Sequence, residues 1–436
     1  MLGTIIIREI QEYIKSKKLL ICLLVTLFLV AFSTVINTRD YVKRNQEYLD
    51  GRNEKKHFYS RALYVYKAPQ VLSILYSGKD RKLGNKALIM DGQIPTQTTG
   101  YLGFRSQHTR FTTEFDVIDY AFIVRIVLSL FVIFLAYNSI SEEKIRGTLR
   151  LNLSNSVSRY IILVGKFIGG AIVIILSLCI ATIPAVLIII LHPSVVLHTS
   201  DYIRIIAMFG VSLLYLILFY SLSLCVSVLI NKPSIALLAL LQLWIVLIIV
   251  YPNLGAFIGD VSYSLPEETE FMQQKRALYN EISNKTKGNI LYHVRYYLHA
   301  EAKYRIDKKY SDKLTGQVRN ILNILIFAPS VMYDQLMNRY ACTGIEDHQR
   351  FIDGIYQYWQ DNINYKEDEL TIMAKGGKIE SDFFKKKYSE LPEFIYKSET
   401  LMESFVAALP NTLILFMFAI VSFTIAYTAF LRKDVR

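Results

Sequence analysis

The chain has 436 residues, of which 53% are hydrophobic and 20% are charged, and its formal net charge is +12 at pH 7. This composition excludes disordered, collagen-like and coiled-coil proteins, and four cysteines do not make a disulfide framework or a clustered zinc site. Because the apolar residues occur in a few long blocks, the composition is typical of a polytopic membrane protein.

The first 17 residues predict a short amphipathic helix that lies in the inner membrane interface and leads into the first span. Its apolar residues at helical spacing are Ile5, Ile6, Ile10 and Tyr13. The charged residues expected on the opposite side are Arg8, Glu9, Glu12 and Lys15. The alternative is a plain cytoplasmic extension of the first span.

Six blocks are long enough to cross a bilayer core, which needs roughly 20 apolar residues per helix. They are 18–37, 119–140, 160–191, 204–230, 234–258 and 409–431. The predicted fold class is therefore an all-α polytopic membrane protein with six transmembrane helices. We expect the first block to span rather than to be a cleaved signal peptide, because no small-x-small cleavage site follows it.

The distribution of lysine and arginine predicts the orientation, since positive residues favour the cytoplasmic side of short loops. Positive charge clusters in 1–17, 141–159 and the tail 432–436, so both termini are expected in the cytoplasm. Regions 38–118 and 259–408 are then large, mainly helical extracytoplasmic insertions. The basic residues are expected to meet anionic membrane lipid, and no aromatic-interleaved basic groove indicates nucleic-acid binding.

No catalytic or cofactor-binding motif stands out. The one Gly-Gly-Lys, 376–378, has Ile372 where a phosphate-binding loop needs its first glycine. Neither H-E-x-x-H nor G-x-S-x-G occurs. The sequence therefore predicts a protein that is not an enzyme and holds no cofactor or metal of its own.

The segment between the second and third spans is the most informative part of the sequence. It reads AYNSISEEKIRGTLRLNLSNSVSRYIILVGKFIGG over 136–170. It contains an acidic pair, Gly-Thr-Leu, Leu-Ser, an arginine and then a lysine that enters the next span. These residues are Glu142, Glu143, Gly147, Thr148, Leu149, Leu153, Ser154, Arg159 and Lys166.

This order of residues resembles the cytoplasmic coupling segment of type 2 ABC transporter permeases. The stretches 68–78 and 327–351 look like the subgroup with large extracytoplasmic insertions. One departure is Tyr137–Asn138, where the pattern has an aromatic residue followed by aspartate. The resemblance implies a permease subunit of an ATP-driven exporter in a bacterial cytoplasmic membrane.

The same resemblance implies several partners. A cytosolic ABC ATPase dimer would dock on the coupling segment and would itself hold ATP and Mg²⁺. A second copy of the chain or a homologous permease would complete the pore. The extracytoplasmic regions could also bind an envelope protein or peptide.

Five basic residues have two interpretations each. Arg146, Arg150 and Arg159 meet either acidic groups of the docked ATPase or phospholipid headgroups. Arg125, about a turn and a half into the second span, either snorkels past Asp119 and Asp116 or lines the transport route. Lys166 likewise either lines the transport route or snorkels, since it lies close enough to the inner face.

Three other functions remain open at this stage. The chain could be a mechanotransmitter whose ATP-driven motion works the outer regions while nothing crosses the membrane. It could be a membrane scaffold or sensor that has no ATPase. A polytopic membrane enzyme is the remaining alternative, against which the lack of a spaced catalytic set argues.

Overall fold

The computed structural model describes residues 2–54, 62–80, 85–90, 118–148, 158–262, 268–285, 292–362 and 392–432. The helices outside the long apolar blocks are α1 (Leu2–Ile14), α4 (Ser141–Ile145), α8 (Glu268–Lys285), α9 (Tyr292–Ile324), α10 (Pro329–Ala341) and α11 (Ile345–Asn362). The apolar blocks form α2 (Lys17–Glu54), α3 (Tyr120–Phe122, Ile123–Leu128 and Ser129–Ala136), α5 (Arg159–Leu191), α6 (Thr199–Leu229), α7 (Pro233–Ile245, Val246–Val250 and Tyr251–Ser262) and α12 (Leu401–Arg432).

Six helices in the described residues are long and apolar enough to cross a membrane: α2, α3, α5, α6, α7 and α12. This confirms the all-α polytopic fold class. Several of them reach beyond the apolar blocks, most of all α2, which continues to Glu54, and α12, which already begins at Leu401. The backbone is π-helical within α3, over Ile123–Leu128, and within α7, over Val246–Val250.

The helix bundle has two distinct ends. At one end, which we call the terminal end, α1 packs against the start of α5, and Arg159 Nη1 donates to the carbonyl oxygen of Leu431 (3.1 Å). The first and last described helices therefore place the two chain ends at the same end of the bundle.

A lobe at the opposite end combines α8, α9 and α11 with a two-stranded sheet that the helical expectation for 38–118 did not include. Strand β1 (Ala62–Tyr66) pairs antiparallel with β2 (Lys86–Met90), with Ala62 opposite Met90. Apolar residues of both strands share a buried cluster with α9 and α11. Its members are Val65, Ala87, Tyr304, Phe351, Ile352, Ile355, Tyr358 and Trp359.

The two sequence stretches 68–78 and 327–351 interlock where the lobe meets the bundle. Lys67, which is buried, pairs with Asp80 (3.4 Å) and with Asp347 of α11. Gly78 has a φ of +50°, and a Cβ there would lie 2.4 Å from Thr343 Oγ1. Both the left-handed backbone and the close contact therefore favour glycine at this position.

Helices α9 and α10 form a hairpin whose tip enters the bundle. The end of α9 packs on α7, where a Cβ at Gly259 would lie 2.0 Å from Ile321. At the tip, the Phe327 ring is 6.1 Å from the ring of Phe418, near the middle of α12. Ser330 Oγ donates to the carbonyl oxygen of Leu247, near the middle of α7 (3.1 Å). The sequence places all of 259–408 outside the spans, whereas this tip packs among them.

Candidate functional site

Helix α1 approaches the start of the third span, α5, unusually closely. A Cβ at Gly165 would lie 2.7 Å from Cγ2 of Ile5, and one at Gly169 would lie 2.8 Å from Cβ of Glu9. Small residues four apart on one helix face let a second helix pack against the backbone. Gly165 and Gly169 therefore make the surface on which α1 rests.

A buried group of charges joins α1, α4 and α5. Lys166 of α5 has 3% of its surface exposed and Glu9 of α1 has 5%. The Lys166 ammonium pairs with Glu9 and lies 3.0 Å from Oε1 of Glu143 on α4. We call Glu9, Glu143 and Lys166 the coupling triad. A buried ammonium is costly to leave unpaired, so these carboxylates compensate it.

The triad carries one more carboxylate than ammonium. Burial raises the pKa of Glu9, and the neighbouring Lys166 acts in the opposite direction. Among the described residues, Oε2 of Glu143 has no hydrogen-bond partner. The carboxylate of Glu143 is therefore held by few contacts. A displacement of α4 changes its distance from the Lys166 ammonium directly.

Helix α4 is also attached to the end of the fourth span, α6. Ser227 Oγ accepts from the backbone N–H groups of Ile140 (3.1 Å) and Ser141 (3.2 Å). Lys144 Nζ donates to the carbonyl oxygen of Val228 (2.8 Å). The short helix thus contacts two other elements through polar groups, α5 and α6, and is linked to α1 through Lys166.

The other described candidates on the coupling segment are more exposed than the triad. Glu142 pairs with Arg146, whose side chain is 70% exposed. Gly147 has a φ of +72°, which favours glycine, and Thr148 Oγ1 donates to the carbonyl oxygen of Glu143 (3.3 Å). Leu149 and Arg150 lie outside the described residues. Arg146 and the neighbouring exposed Ile145 offer a free surface next to the triad.

Two sequence expectations differ from the structure, those for Lys166 and Glu9, while both interpretations of Arg125 stay predictions. Lys166 does not snorkel, because it is buried and paired inside the bundle. Arg125 pairs with Asp334 of α10, whereas Asp119 accepts from the backbone N–H groups of Phe122 and Ser77. The residue pattern predicts Glu9 on the polar side of α1, but the structure shows that Glu9 is buried.

The sequence did contain a signal for Glu9. Ile5, Glu9 and Tyr13 are spaced four apart, so they lie on one helix face. Residue type alone predicts Glu9 on the polar side of α1, whereas its position in the sequence puts it on the apolar face. A carboxylate within an apolar stripe points to a buried cation elsewhere in the chain.

A family model described as ABC-2 family transporter protein matches residues 3–435, nearly the whole chain. The match thus includes the coupling segment, the six spans and the lobe. The comparison with curated proteins finds no relative that matches.

Proposed function

The chain belongs to the ABC-2 family of transporter proteins, and from this premise we propose that it is the permease subunit of an exporter driven by a separate cytosolic ATPase. Two copies, or one copy with a homologous permease, form the pore. ATP and Mg²⁺ bind to the ATPase. The terminal end of the bundle faces the cytoplasm and the lobe faces outward.

The coupling triad is the observation that supports this proposal. The ATPase docks beside α4, on the surface that includes Ile145 and Arg146. When the ATPase closes, α4 moves, and Glu143 transmits the displacement to Lys166 of α5 and so to Glu9 of α1. The three groups move together, because separating them leaves a buried charge uncompensated. The two states of the pore then differ in the contacts of α4, as a ligand-driven switch requires.

The test uses the complex of permease and ATPase purified from native membranes and reconstituted in vesicles. Glu143→Gln and Lys166→Met are expected to lower substrate-stimulated ATP hydrolysis at least fivefold while the ATPase still co-purifies. Glu12→Gln is the matched control, because Glu12 is an exposed carboxylate of α1 that pairs only locally with Arg8. Normal coupling in both triad variants would contradict this role.

A mechanotransmitter is the second candidate, and the attachment of the lobe to the spans supports it. Arg204 of α6 donates to the carbonyl oxygens of Tyr340 (3.2 Å), in the last turn of α10, and of Glu399 (2.6 Å), just ahead of α12. Motion of the spans therefore reaches the lobe, with or without a transported substrate. ATP hydrolysis that responds to an envelope protein, but to no candidate substrate, would favour this function. A scaffold that needs no ATPase is disfavoured by the family.

A further inference from the structure

The only cation of α3, Arg125, pairs with a carboxylate from outside the six spans. Its partner Asp334 belongs to α10, the helix that follows the tip of the hairpin. Arg125 also lies in the π-helical part of α3, and Ser330 of the same hairpin contacts the π-helical part of α7. π-Helical turns are frequent at functional sites. The hairpin therefore bridges the irregular turns of two spans.

The surroundings of this pair are aromatic and polar. Arg125 lies 5.8 Å from the centre of the Phe122 ring, and its carbonyl oxygen accepts from the Tyr215 hydroxyl (3.1 Å). About one turn further along α3, Ser129 Oγ accepts from Nε1 of Trp244 on α7 (2.9 Å). Aromatic and polar groups thus surround the ion pair. Such surroundings suit a ligand in which a charged group is joined to an apolar chain.

The pair is also more open than the coupling triad. The side chains of Arg125 and Asp334 are 17% and 22% exposed, whereas those of Lys166 and Glu9 are 4% and 6% exposed. A guanidinium among apolar helices needs an anion close by. Asp334 belongs to the hairpin, so a shift of the hairpin would withdraw this carboxylate from Arg125 and make room for the anionic group of a ligand.

We propose that Arg125 binds the anionic headgroup of an amphiphile that enters from the membrane, and that Asp334 occupies this position when the site is empty. Guanidinium binds carboxylate and phosphate alike through paired hydrogen bonds, so the ligand class is an anion on an apolar chain. Binding displaces Asp334 and releases the hairpin, which leads into the lobe. This inference rests on the proposed transport function and names the substrate class.

Trp244 provides a direct probe, because the chain has two tryptophans and the other, Trp359, lies in the lobe. The full-length Trp359→Phe variant is placed in nanodiscs of zwitterionic lipid at alkaline pH. Dibromostearate, a quencher with an ionised carboxylate, is titrated against its uncharged methyl ester. We expect saturable quenching of Trp244 by the acid and weak, non-saturating quenching by the ester.

The two members of the pair are expected to act in opposite directions. Arg125→Gln abolishes the preference for the acid. Asp334→Asn removes the competing carboxylate and tightens binding of the acid about tenfold, which is the size of effect that one charge-assisted contact gives. A purely structural ion pair would instead show equal quenching by acid and ester and no gain in Asp334→Asn, which would overturn the proposal.

Two further arms complete the experiment. Dibrominated phosphatidylglycerol tests a bilayer lipid as the source of the anion, and Arg125-dependent quenching by either compound supports the site. If Trp359→Phe does not fold, the signal of Trp244 is obtained by subtracting the Trp244→Phe variant from the parent protein. Quenching needs neither ATP nor the ATPase, so its failure is distinguishable from a failure of coupling through Glu143.

Discussion

At Gly170 the third and fourth spans approach each other closely. A Cβ there would lie 1.9 Å from the hydroxyl oxygen of Tyr220, which donates to the carbonyl oxygen of Lys166 (2.9 Å). The tyrosine is buried and has no room to withdraw. Gly170 therefore determines the spacing of α5 and α6 beside the coupling triad.

Gly170→Ala is expected to destabilise the bundle by about 1–3 kcal/mol, the usual cost of overpacking. The measurement is the midpoint of thermal unfolding in detergent. Gly210→Ala in α6 is the control, because a Cβ there meets nothing within 4 Å and alanine favours helix. Equal midpoints for the two variants would show that the tyrosine yields without cost.

His348 makes the stability of the lobe dependent on pH. It is buried, and burial lowers its pKa to about 3, with Lys67 acting in the same direction. In the unfolded chain its pKa is about 6.5. As the pH falls below that value, the unfolded chain binds a proton that the folded lobe does not, so the free energy of unfolding decreases by about 1.4 kcal/mol per pH unit.

We expect the melting midpoint of the lobe to fall between pH 6.5 and pH 5, and to fall less in His348→Gln. Asp347 has its pKa raised by burial, which acts in the opposite direction as the pH falls, so the difference between the parent and His348→Gln isolates the contribution of the histidine. Hydrogen exchange of the α11 backbone amides measures the loss of stability of the lobe. It is compared between the parent and His348→Gln at each pH of this range. Identical slopes in the parent and the variant would assign the pH dependence to other groups.

Among the elements, the C-terminus of α10 is held by a single side chain from the fourth span. Arg204 Nη1 donates to Sγ of Cys342 (2.9 Å) and to Ser404 Oγ of α12 (3.0 Å). Cys342 has a φ of 53°, a left-handed residue that ends the helix. Burial raises the pKa of its thiol to about 11, so the thiol is expected to be inert.

Arg204→Ala is expected to release this junction and expose Cys342. The alkylation rate of the thiol in the purified protein should increase about tenfold or more, since thiol reactivity follows exposure and thiolate fraction. Arg350→Ala is the control, because Arg350 is a half-exposed arginine of the same region that pairs with Glu403. Equal rates in the two variants would mean that Cys342 is shielded without Arg204.

The six spans could be predicted from sequence because each is a continuous apolar block, a local property. The hairpin could not. Helix α10 carries Asp334, Asn338 and Arg339, so its sequence reads as a segment outside the bilayer. It packs among the spans because distant residues pair with those groups, as Arg125 does with Asp334. The strands β1 and β2 likewise depend on contacts made after folding.

The candidate site shows the same division between local features that the sequence predicts and distant contacts that it does not. A motif that is continuous in the sequence predicts Glu143 and Lys166 as candidate site residues. It does not predict that they contact each other. Glu9 lies 157 residues from Lys166, and a single sequence provides no direct measure of that proximity. Resemblance could therefore single out the segment 136–170, while the partners of its charges required the structure.

At the scale of the whole molecule, the bundle has one end that carries α1, α4 and the end of α12, and another that carries the lobe. The segments at the first end are rich in lysine and arginine, and such residues remain on the cytoplasmic side during insertion. The lobe is therefore expected outside the cell membrane. Two exposed isoleucines, Ile145 on α4 and Ile395 ahead of α12, make a matched pair of reporters.

We predict that Ile395→Cys reacts with a membrane-impermeant thiol reagent in intact cells, and that Ile145→Cys reacts only in permeabilised membranes from which the docked ATPase has been washed. The parent for both variants has serine at the four native cysteines, which are Cys22, Cys179, Cys225 and Cys342. Retained ATPase binding shows that each variant is assembled. Labelling of Ile145→Cys in intact cells, without labelling of Ile395→Cys, would reverse the orientation and place the coupling triad on the side that has no ATP.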